Sequence, residues 1–493
     1  MNFSIIIYII GYVLKIEGLL MLAPTFVGVF YGEKAWIGFF IMAVAAFLFG
    51  TLLSFKKPKN QVFYAKEGFV SVPLSWIFAS IFGCLPFVIN GDIPHFVDAF
   101  FEIVSGFTTT GSSILTDVEV VSHASLFWRS FSHWIGGMGI LVFILSVLPL
   151  TSGATMHLMR AESPGPQVDK VVPKVKDTSI MLYIIYTAMT ALQIILLIIG
   201  NTDIFDAVCI ALGTAGTGGF AVKNSGLAGY SPYVQYVVAI FMILFGVNFN
   251  VYVLLIKKHL RQALRVEEAR WYFAIIVLAV ALITINTKYL FPTLELAFRT
   301  ALFQVGSIIT TTGYATYDFS IYYPLFSQLI LIFLMFIGAC AGSTGGGIKV
   351  SRITIIAKTV RDELARIIHP RAVKKVRSEG KTLNHSVLRS VNIFLMSYLG
   401  VFAVSLLLIS LDNFDFTTSF TAVTATINNI GPGLGKVGPC GNFSEFSDFS
   451  KLVFCFNMIA GRLEILPMLV MINPRTWSHP FKYKKHKAVN KIS

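Results

Sequence analysis

Ten apolar stretches divide the chain, at approximately 3–29, 35–55, 70–90, 126–150, 178–200, 232–256, 270–288, 324–347, 389–411 and 449–472. Each is long enough to cross the hydrocarbon core of a bilayer, which takes about 20 residues of helix. Between the third and fourth stretches, and within each later pair, lies a shorter run with helical character, such as Asp98 to Phe107. Such a run can only dip into the membrane and return. The pattern predicts an all-α polytopic membrane protein: an N-terminal two-helix hairpin, then four units, each a crossing, a re-entrant helix and a second crossing.

A glycine motif follows every re-entrant run. Thr108-Thr109-Thr110-Gly111-Ser112-Ser113 is nearly copied at Thr310-Thr311-Thr312-Gly313. A weaker version is Gly216-Thr217-Gly218-Gly219-Phe220, and the most divergent is Asn428-Asn429-Ile430-Gly431-Pro432-Gly433. The anchoring glycines recur about every hundred residues, as an internal repeat does. One such motif alone reads as a turn. Four in the same surroundings point to one shared aqueous axis, because backbone that bends inside a bilayer is tolerated only where protein buries it or it lines water.

Glycine can take up positive φ and so let successive carbonyls face an ion, and carbonyl rings replace the hydration shell of a cation in potassium-selective filters. The candidate ion-binding residues are Thr109, Thr110 and Gly111; Thr217, Gly218 and Gly219; Thr311, Thr312 and Gly313; and Asn429, Ile430 and Gly431. Unit four lacks the threonines, so fourfold geometry is expected to be approximate, with backbone carbonyls still available there. The re-entrant helices would aim the negative ends of their dipoles at the ion. Asp98 and Asp206 both lie 13 residues before their glycine, a position suited to the first turn of a helix.

Two features mark a candidate gate. The run from Gly338 to Gly347, with Gly342, Ser343, Thr344, Gly345 and Gly346 inside it, cannot hold a rigid helix, since each interior glycine costs about 1 kcal/mol relative to alanine. It is expected to break the second crossing of unit three, and of that unit alone, and to lie across the pore as a movable barrier. Close helix packing is the plainer alternative. A nucleotide-binding loop is excluded because Gly347-Ile348-Lys349 lacks the adjacent Gly-Lys-Ser/Thr. The second feature is Arg462. A central arginine costs about 2.5–3.5 kcal/mol on insertion scales and so faces a cavity or a partner. Gly461 aligns with Gly136, Gly246 and Gly338, which places Arg462 below the filter as an electrostatic plug. Pairing with Glu464 is disfavoured because residues two apart do not share a helix face.

Other singular residues attract plainer readings. His133 is expected to be packed and hydrogen-bonded rather than a proton relay. Lys223 is expected to be solvated outside the narrow part, and Lys15 and Glu17 in the first crossing are assigned no function. These two charges also argue against a removable signal peptide. The prolines between Gly153 and Asp177 predict an extended connection.

Composition closes off other classes. With 55% hydrophobic and 13% charged residues and a mean hydropathy of +0.73, the chain is not a soluble globular protein. The net charge of +14 falls on alternate loops and the C-terminal tail. That is the positive-inside pattern, with both termini cytoplasmic, and it needs no nucleic-acid partner. The opposite loops are acidic, so Asp92, Asp98, Glu102, Asp203, Asp206, Asp412, Asp415, Glu445 and Asp448 are expected near the outer mouth, where their summed charge would concentrate cations. The basic loop from Lys349 to Arg389 would continue as a helix over Arg352 to Ile368 and meet anionic lipid or a regulatory partner. Five scattered cysteines give no metal site or disulfide framework. No nucleophile–base pair or paired carboxylates lie in the crossings, so the chain reads as an ion transporter or channel, not an enzyme.

On Thr108–Ser113, Gly216–Phe220, Thr310–Tyr314, Ile430–Gly435, Gly338–Gly347 and Gly461-Arg462, the chain resembles the TrkH branch of the Trk/Ktr/HKT superfamily of potassium transporters over nearly its whole length. The resemblance implies four pseudo-symmetric M1–P–M2 repeats around a central pore plus the hairpin, assembled as a homodimer in the cytoplasmic (inner) membrane. It implies potassium as the transported ion, no organic cofactor on this chain, and a cytosolic TrkA-type ring whose nucleotide binding regulates the gate. Glycine at all four filter positions resembles the potassium-selective pattern, whereas a first-unit serine accompanies sodium conduction in some plant members. The implied division is a hairpin (1–66), repeat one (67–152), repeat two (153–256), repeat three (257–360), a basic loop (361–387), repeat four (388–474) and a basic tail (475–493). The alternative is a secondary symporter driven by sodium or protons, which repeats of one orientation do not favour.

Overall fold

The computed structural model describes residues 1–58, 64–139, 175–370 and 375–477. The hairpin comes first. Its first crossing is Phe3–Leu20 followed by Leu22–Phe30, and its second is Trp36–Ser54. Small residues bring the two backbones together: a Cβ on Gly18 would lie 2.6 Å from the Ala43 carbonyl oxygen, and one on Gly50 would lie 2.5 Å from that of Gly11. Helices in lipid lack a hydrophobic drive towards each other and rely on such close contact. Lys15 sits over the Tyr12 ring, 4.9 Å from its centroid. Glu17 is buried against Gly83, and neither carboxyl oxygen has a hydrogen-bond partner among the described residues.

Four repeats of outer helix, pore helix and inner helix follow, as expected. The outer helices are Ala65–Asn90, Val175–Ile199, Glu267–Thr287 and His385–Ile409. The pore helices are Phe96–Phe107, Ile204–Gly216, Leu294–Ile309 and Phe416–Ile427. The inner helices are His123–Gly137, Pro232–Phe245, Leu325–Ile337 and Asp448–Arg462. Asp203, Thr293 and Asp415 cap pore helices, and Ser122, Ser231 and Ser447 cap inner helices, each side chain accepting from a first-turn N–H.

Ten apolar stretches were expected to cross, with a break only in the second crossing of unit three; the inner crossings correct that expectation. Among the described residues six helices are long and apolar enough to cross a membrane, or seven if Pro232–Phe245 and Phe249–Ile256, bent by 92°, count as one. The inner helices stop after 13 to 15 residues, about 20 Å at 1.5 Å per residue. The break expected for unit three alone recurs elsewhere. In repeat two it falls between Phe245 and Phe249, and in repeat four Glu464 and Ile465, at φ +61° and +63°, separate Arg462 from a short helix, Leu466–Ile472. In repeat one the helix ends at Gly137 with Gly139 at φ +83°; the remainder of that crossing, and the connection expected from Gly153 as far as residue 174, lie outside the described residues.

Each helix ends within two residues of its aligned glycine, and that glycine is where the helix presses on a neighbour. A Cβ on Gly136 would lie 1.8 Å from the Phe107 carbonyl oxygen, and one on Gly461 would lie 2.0 Å from that of Ile427. One large buried cluster joins the hairpin to repeats one and four through Leu14, Trp76, Phe107, Trp128 and Phe454. Leu52, Ile184, Val277 and Leu407 face outward, where a bilayer rather than water suits them. Beyond the repeat-three break a helix runs from Val350 to Ile368, close to the expected Arg352–Ile368, and is followed by a two-stranded hairpin pairing Arg377–Ser378 with Lys381–Thr382.

Candidate ion pathway

Every pore helix ends in the same way. The residue two before the filter glycine (Thr109, Thr217, Thr311 or Asn429) sits in the left-handed region at φ +56° to +59°. Its N–H donates three residues back, to Gly106, Thr214, Ile308 or Thr426, at 3.0–3.3 Å. The next N–H (Thr110, Gly218, Thr312 or Ile430) reaches five residues back, to Ser105, Gly213, Ser307 or Ala425, at 2.8–2.9 Å. This pair of bonds is the Schellman closure of a helix C-terminus. Glycine usually holds its left-handed position, and another L-residue there costs roughly 1–2 kcal/mol. The glycines that follow, Gly111, Gly219, Gly313 and Gly431, are themselves at φ +78° to +97°.

The loops close into a ring. A Cβ on Gly111 would lie 2.0 Å from the carbonyl oxygen of Gly218, one on Gly219 2.0 Å from that of Thr312, and one on Gly313 2.0 Å from that of Ile430. On Gly431 it would lie 2.9 Å from the carbonyl oxygen of Thr110. Each oxygen belongs to the residue just before the next repeat's glycine, so the chain visits repeats one, two, three and four in order around a single axis. The closure from four back to one is the loosest, and side chains reinforce it: Asn429 Nδ2 donates to Thr110 Oγ1 (2.9 Å) and Ser112 Oγ to the Gly431 carbonyl (3.1 Å). Asn429 thus has the backbone conformation of the threonines it replaces and adds a cross-link they do not make.

His133 is packed behind loops one and two. Its Nδ1 lies 2.8 Å from the Gly106 carbonyl oxygen and its Nε2 accepts from Phe220 N at 3.2 Å. Nδ1 therefore carries the proton, and with both nitrogens engaged the ring is a brace rather than a relay. Beside it Arg129 Nε donates to Glu102 Oε1 (2.8 Å), both side chains being at most 2% exposed. Glu102 also accepts from Ser113 Oγ and Ile114 N, and the guanidinium lies 4.1 Å over the Phe220 ring. Glu102 was expected at the outer mouth; it is instead a buried partner that fixes the start of the loop after filter one, because only there does it meet Arg129.

Other acidic residues expected at the mouth also have structural partners. Asp98 accepts from Lys451 Nζ (2.6 Å), Asp92 from Ser122 and Ser125, Asp412 from Ser447 N, and Lys436 pairs with Glu445. Lys223 is exposed, in keeping with the expectation that it is solvated, and also pairs with Asp206 at 3.1 Å and lies over the Tyr230 ring. In the loops above the ring, Asn224 donates to Asp117 (2.7 Å); that bond and one from Glu119 N hold the Asp117 carboxyl below its ordinary range.

Beneath the ring lies the glycine-rich loop. Gly338 and Gly347, at φ +71° and +76°, form its neck: a Cβ on Gly347 would lie 2.7 Å from Gly338 Cα. Ile348 N and Lys349 N donate back to Phe336 and Ile337 carbonyls, and Val350 N to Ala339. The tip reaches the filter base, where Gly346 N donates to Thr311 Oγ1 (2.6 Å) and Gly345 and Gly346 pack on the carbonyl oxygens of Thr310 and Asn428. Ser343 Oγ donates to the Cys340 carbonyl, Thr344 Oγ1 to that of Phe245, and Gly342 accepts from Phe249 N. Arg462 reaches across below the ring, donating to the Thr344 carbonyl (2.6 Å) and to those of Gly136 and Gly137. It therefore ties the loop to the inner helix of repeat one. The expected continuous helix through Glu464 ends at Arg462, and Glu464 pairs with Arg352.

The candidate ion-binding and gate residues read from sequence thus gather at the ring or directly below it. Four side chains at the same place had not been singled out for it: Lys349, buried and donating to the Gly345 and Gly346 carbonyls; Glu268, which holds loop N–H groups; Arg352; and Arg129. A lysine directly after a glycine run was a usable signal for the first. Nothing in sequence linked the others to the site.

A family model described as TrkH, cation transport protein, matches residues 37–478. The chain is 34% identical over 488 residues to the Trk system potassium uptake protein TrkH of Escherichia coli, spanning 97% of this chain and 100% of that one. It is 32% identical over 480 residues to the Trk system potassium uptake protein TrkG of the same organism, covering 96% and 98%. The crystal structure of the potassium transporter TrkH from Vibrio parahaemolyticus matches with a TM-score of 0.87 at 31% identity, covering 97% of this chain and 100% of that one.

Proposed function

Since the chain belongs to the TrkH family of cation transport proteins, and is an ion transporter rather than an enzyme, we propose that it carries potassium into the cell through a filter of backbone carbonyls closed below by a movable loop. The observation that carries this reading is the ring: four glycines in sequence order, each leaving room only for its neighbour's carbonyl oxygen. A potassium ion entering from the acidic side would exchange hydration water for carbonyl oxygens of Thr109, Thr110 and Gly111, Thr217, Gly218 and Gly219, Thr311, Thr312 and Gly313, and Asn429, Ile430 and Gly431. The C-termini of four pore helices favour positive charge at that point.

Below the ring the ion would meet Arg462 and the loop from Gly338 to Gly347. Together they form the gate: the guanidinium repels the cation, and the loop blocks the exit while it remains bonded to Thr311. The membrane potential supplies about 2.3 kcal/mol per charge per 100 mV in the inward direction. The charge balance supports an inner-membrane orientation with both termini cytoplasmic. The family resemblance supports a homodimer regulated by a cytosolic nucleotide-binding ring, and the division into a hairpin, four repeats, a basic loop and a tail.

Purified protein in liposomes tests the reading by ion-replacement flux. Potassium is expected to pass in preference to sodium, and Arg462→Ala or deletion of Gly345–Gly347 to raise the flux. Equal passage of both ions refutes the filter, and unchanged flux in folded variants refutes the gate. A current that reverses at the gradient of a second solute makes the protein a symporter instead.

A further inference from the structure

We propose that Glu268 is the clasp that holds the 338–347 loop shut, and that the hairpin of residues 377–382 secures the helix that carries it; this rests on reading that loop as the gate. Glu268 Oε1 accepts from two backbone N–H groups, Ala341 at 2.7 Å and Ser351 at 3.1 Å. The first lies on the outgoing limb of the loop and the second just past its return. One carboxylate oxygen therefore bridges both limbs near the neck formed by Gly338 and Gly347, and ionised acceptors make the stronger hydrogen bonds. The tip is held separately, by Thr311 Oγ1 from the filter side and by Lys349 Nζ on the Gly345 and Gly346 carbonyls. The loop is thus suspended between the ring and Glu268.

Glu268 is itself nearly buried, but the helix that carries it starts at the surface, in a knot of three elements. The N–H groups of Glu267 and Glu268 donate to Glu379 Oε1 at 3.0 and 3.4 Å, and Glu379 N donates back to Glu267 Oε2 at 3.3 Å. Glu379 forms the hairpin turn with Gly380, both at positive φ. Lys358, on the helix that leaves the loop, pairs with Glu267 and donates to the Arg377 carbonyl at 2.8 Å. A carboxylate on two free N–H groups of a helix N-terminus is a favourable and localised attachment. Displacing the hairpin removes that attachment, shifts the first turn of the helix and carries Glu268 away from Ala341 and Ser351.

The test is rubidium influx into potassium-loaded liposomes containing the full-length protein without any partner. Glu268→Ala is expected to raise basal influx at least about tenfold, because two backbone N–H groups lose their shared acceptor. Glu379→Ala, which lies outside the membrane and does not threaten folding, is expected to raise it severalfold while keeping the preference for potassium over sodium. In protein lacking Gly345–Gly347, Glu268→Ala is expected to add nothing. If the deletion raises influx but neither glutamate variant does, the clasp is wrong and the gate stands. If the deletion itself has no effect, the gate reading fails and takes the clasp with it. A gain that abolishes the potassium preference marks a damaged pore and counts against the proposal.

Discussion

The four filter glycines are not equivalent, and alanine substitution at each in turn measures the difference. All four sit at φ between +78° and +97°, so the backbone cost of a Cβ is common to them, roughly 1–2 kcal/mol. What differs is the room. At Gly111, Gly219 and Gly313 the new carbon would lie 2.0 Å from a neighbouring carbonyl oxygen, about 1.4 Å inside the 3.4 Å at which ordinary contact begins; at Gly431 it would lie 2.9 Å away, about 0.5 Å inside. In the first three cases the obstructed atom is backbone and must leave the ring, which on the proposed reading removes one oxygen from the set that would replace water. In the fourth, a shift of half an ångström is shared with a loop already held by Asn429 and Ser112. Gly111→Ala, Gly219→Ala and Gly313→Ala should therefore lose potassium preference, and Gly431→Ala should retain most of it. The assay is the potassium-to-sodium flux ratio of each variant in liposomes, normalised to inserted protein. Equal loss at all four positions, or greater loss at Gly431, would show that the contacts between loops do not set selectivity.

Three further outcomes follow from contacts around the ring. Thr311→Val removes the acceptor for Gly346 N and should raise basal flux roughly two- to tenfold, the value of one neutral hydrogen bond; flux at or below the parent level would mean the loop does not hang from the filter. Arg129→Met leaves Glu102 buried without its partner and should lower stability by about 3–5 kcal/mol, seen as a fall in the detergent melting temperature that the double change Glu102→Gln/Arg129→Met largely restores. Glu17→Leu removes a buried carboxyl with no hydrogen-bond partner among the described residues and should stabilise the hairpin by about 1–3 kcal/mol with flux unchanged; a lower melting temperature would show that the carboxyl has a role in the folded protein.

The architecture was readable where one physical demand recurs in the sequence. Positive φ at the filter needs glycine, and four glycines in matching surroundings reveal themselves as a set. The left-handed conformation of the threonines in three of the four Schellman closures could not be read, because isolated propensity argues against a β-branched residue there and only the assembled ring imposes it. The break in repeat three was legible from six residues of Gly, Ser and Thr in a row. Those in repeats two and four were not, because Gly246 and Gly461 are single glycines in apolar runs, which transmembrane helices ordinarily absorb. Long-range pairs were the other blind spot. Glu102, read as outer-loop charge, meets Arg129 on a different helix, and Glu268, not singled out at all, meets Ala341 across much of repeat three, because only the fold brings such partners together.

The Schellman closures also decide the fate of anions. By turning the amide hydrogens of Thr109 and Thr110, and of their counterparts in the other three loops, back into the pore helices, the chain commits its donors away from the axis. If ions pass through the ring as proposed, chloride would lose water there without gaining these eight amide donors. On that reading, discrimination against negative ions follows in part from how the loops are tied, with no acidic side chain required in the passage.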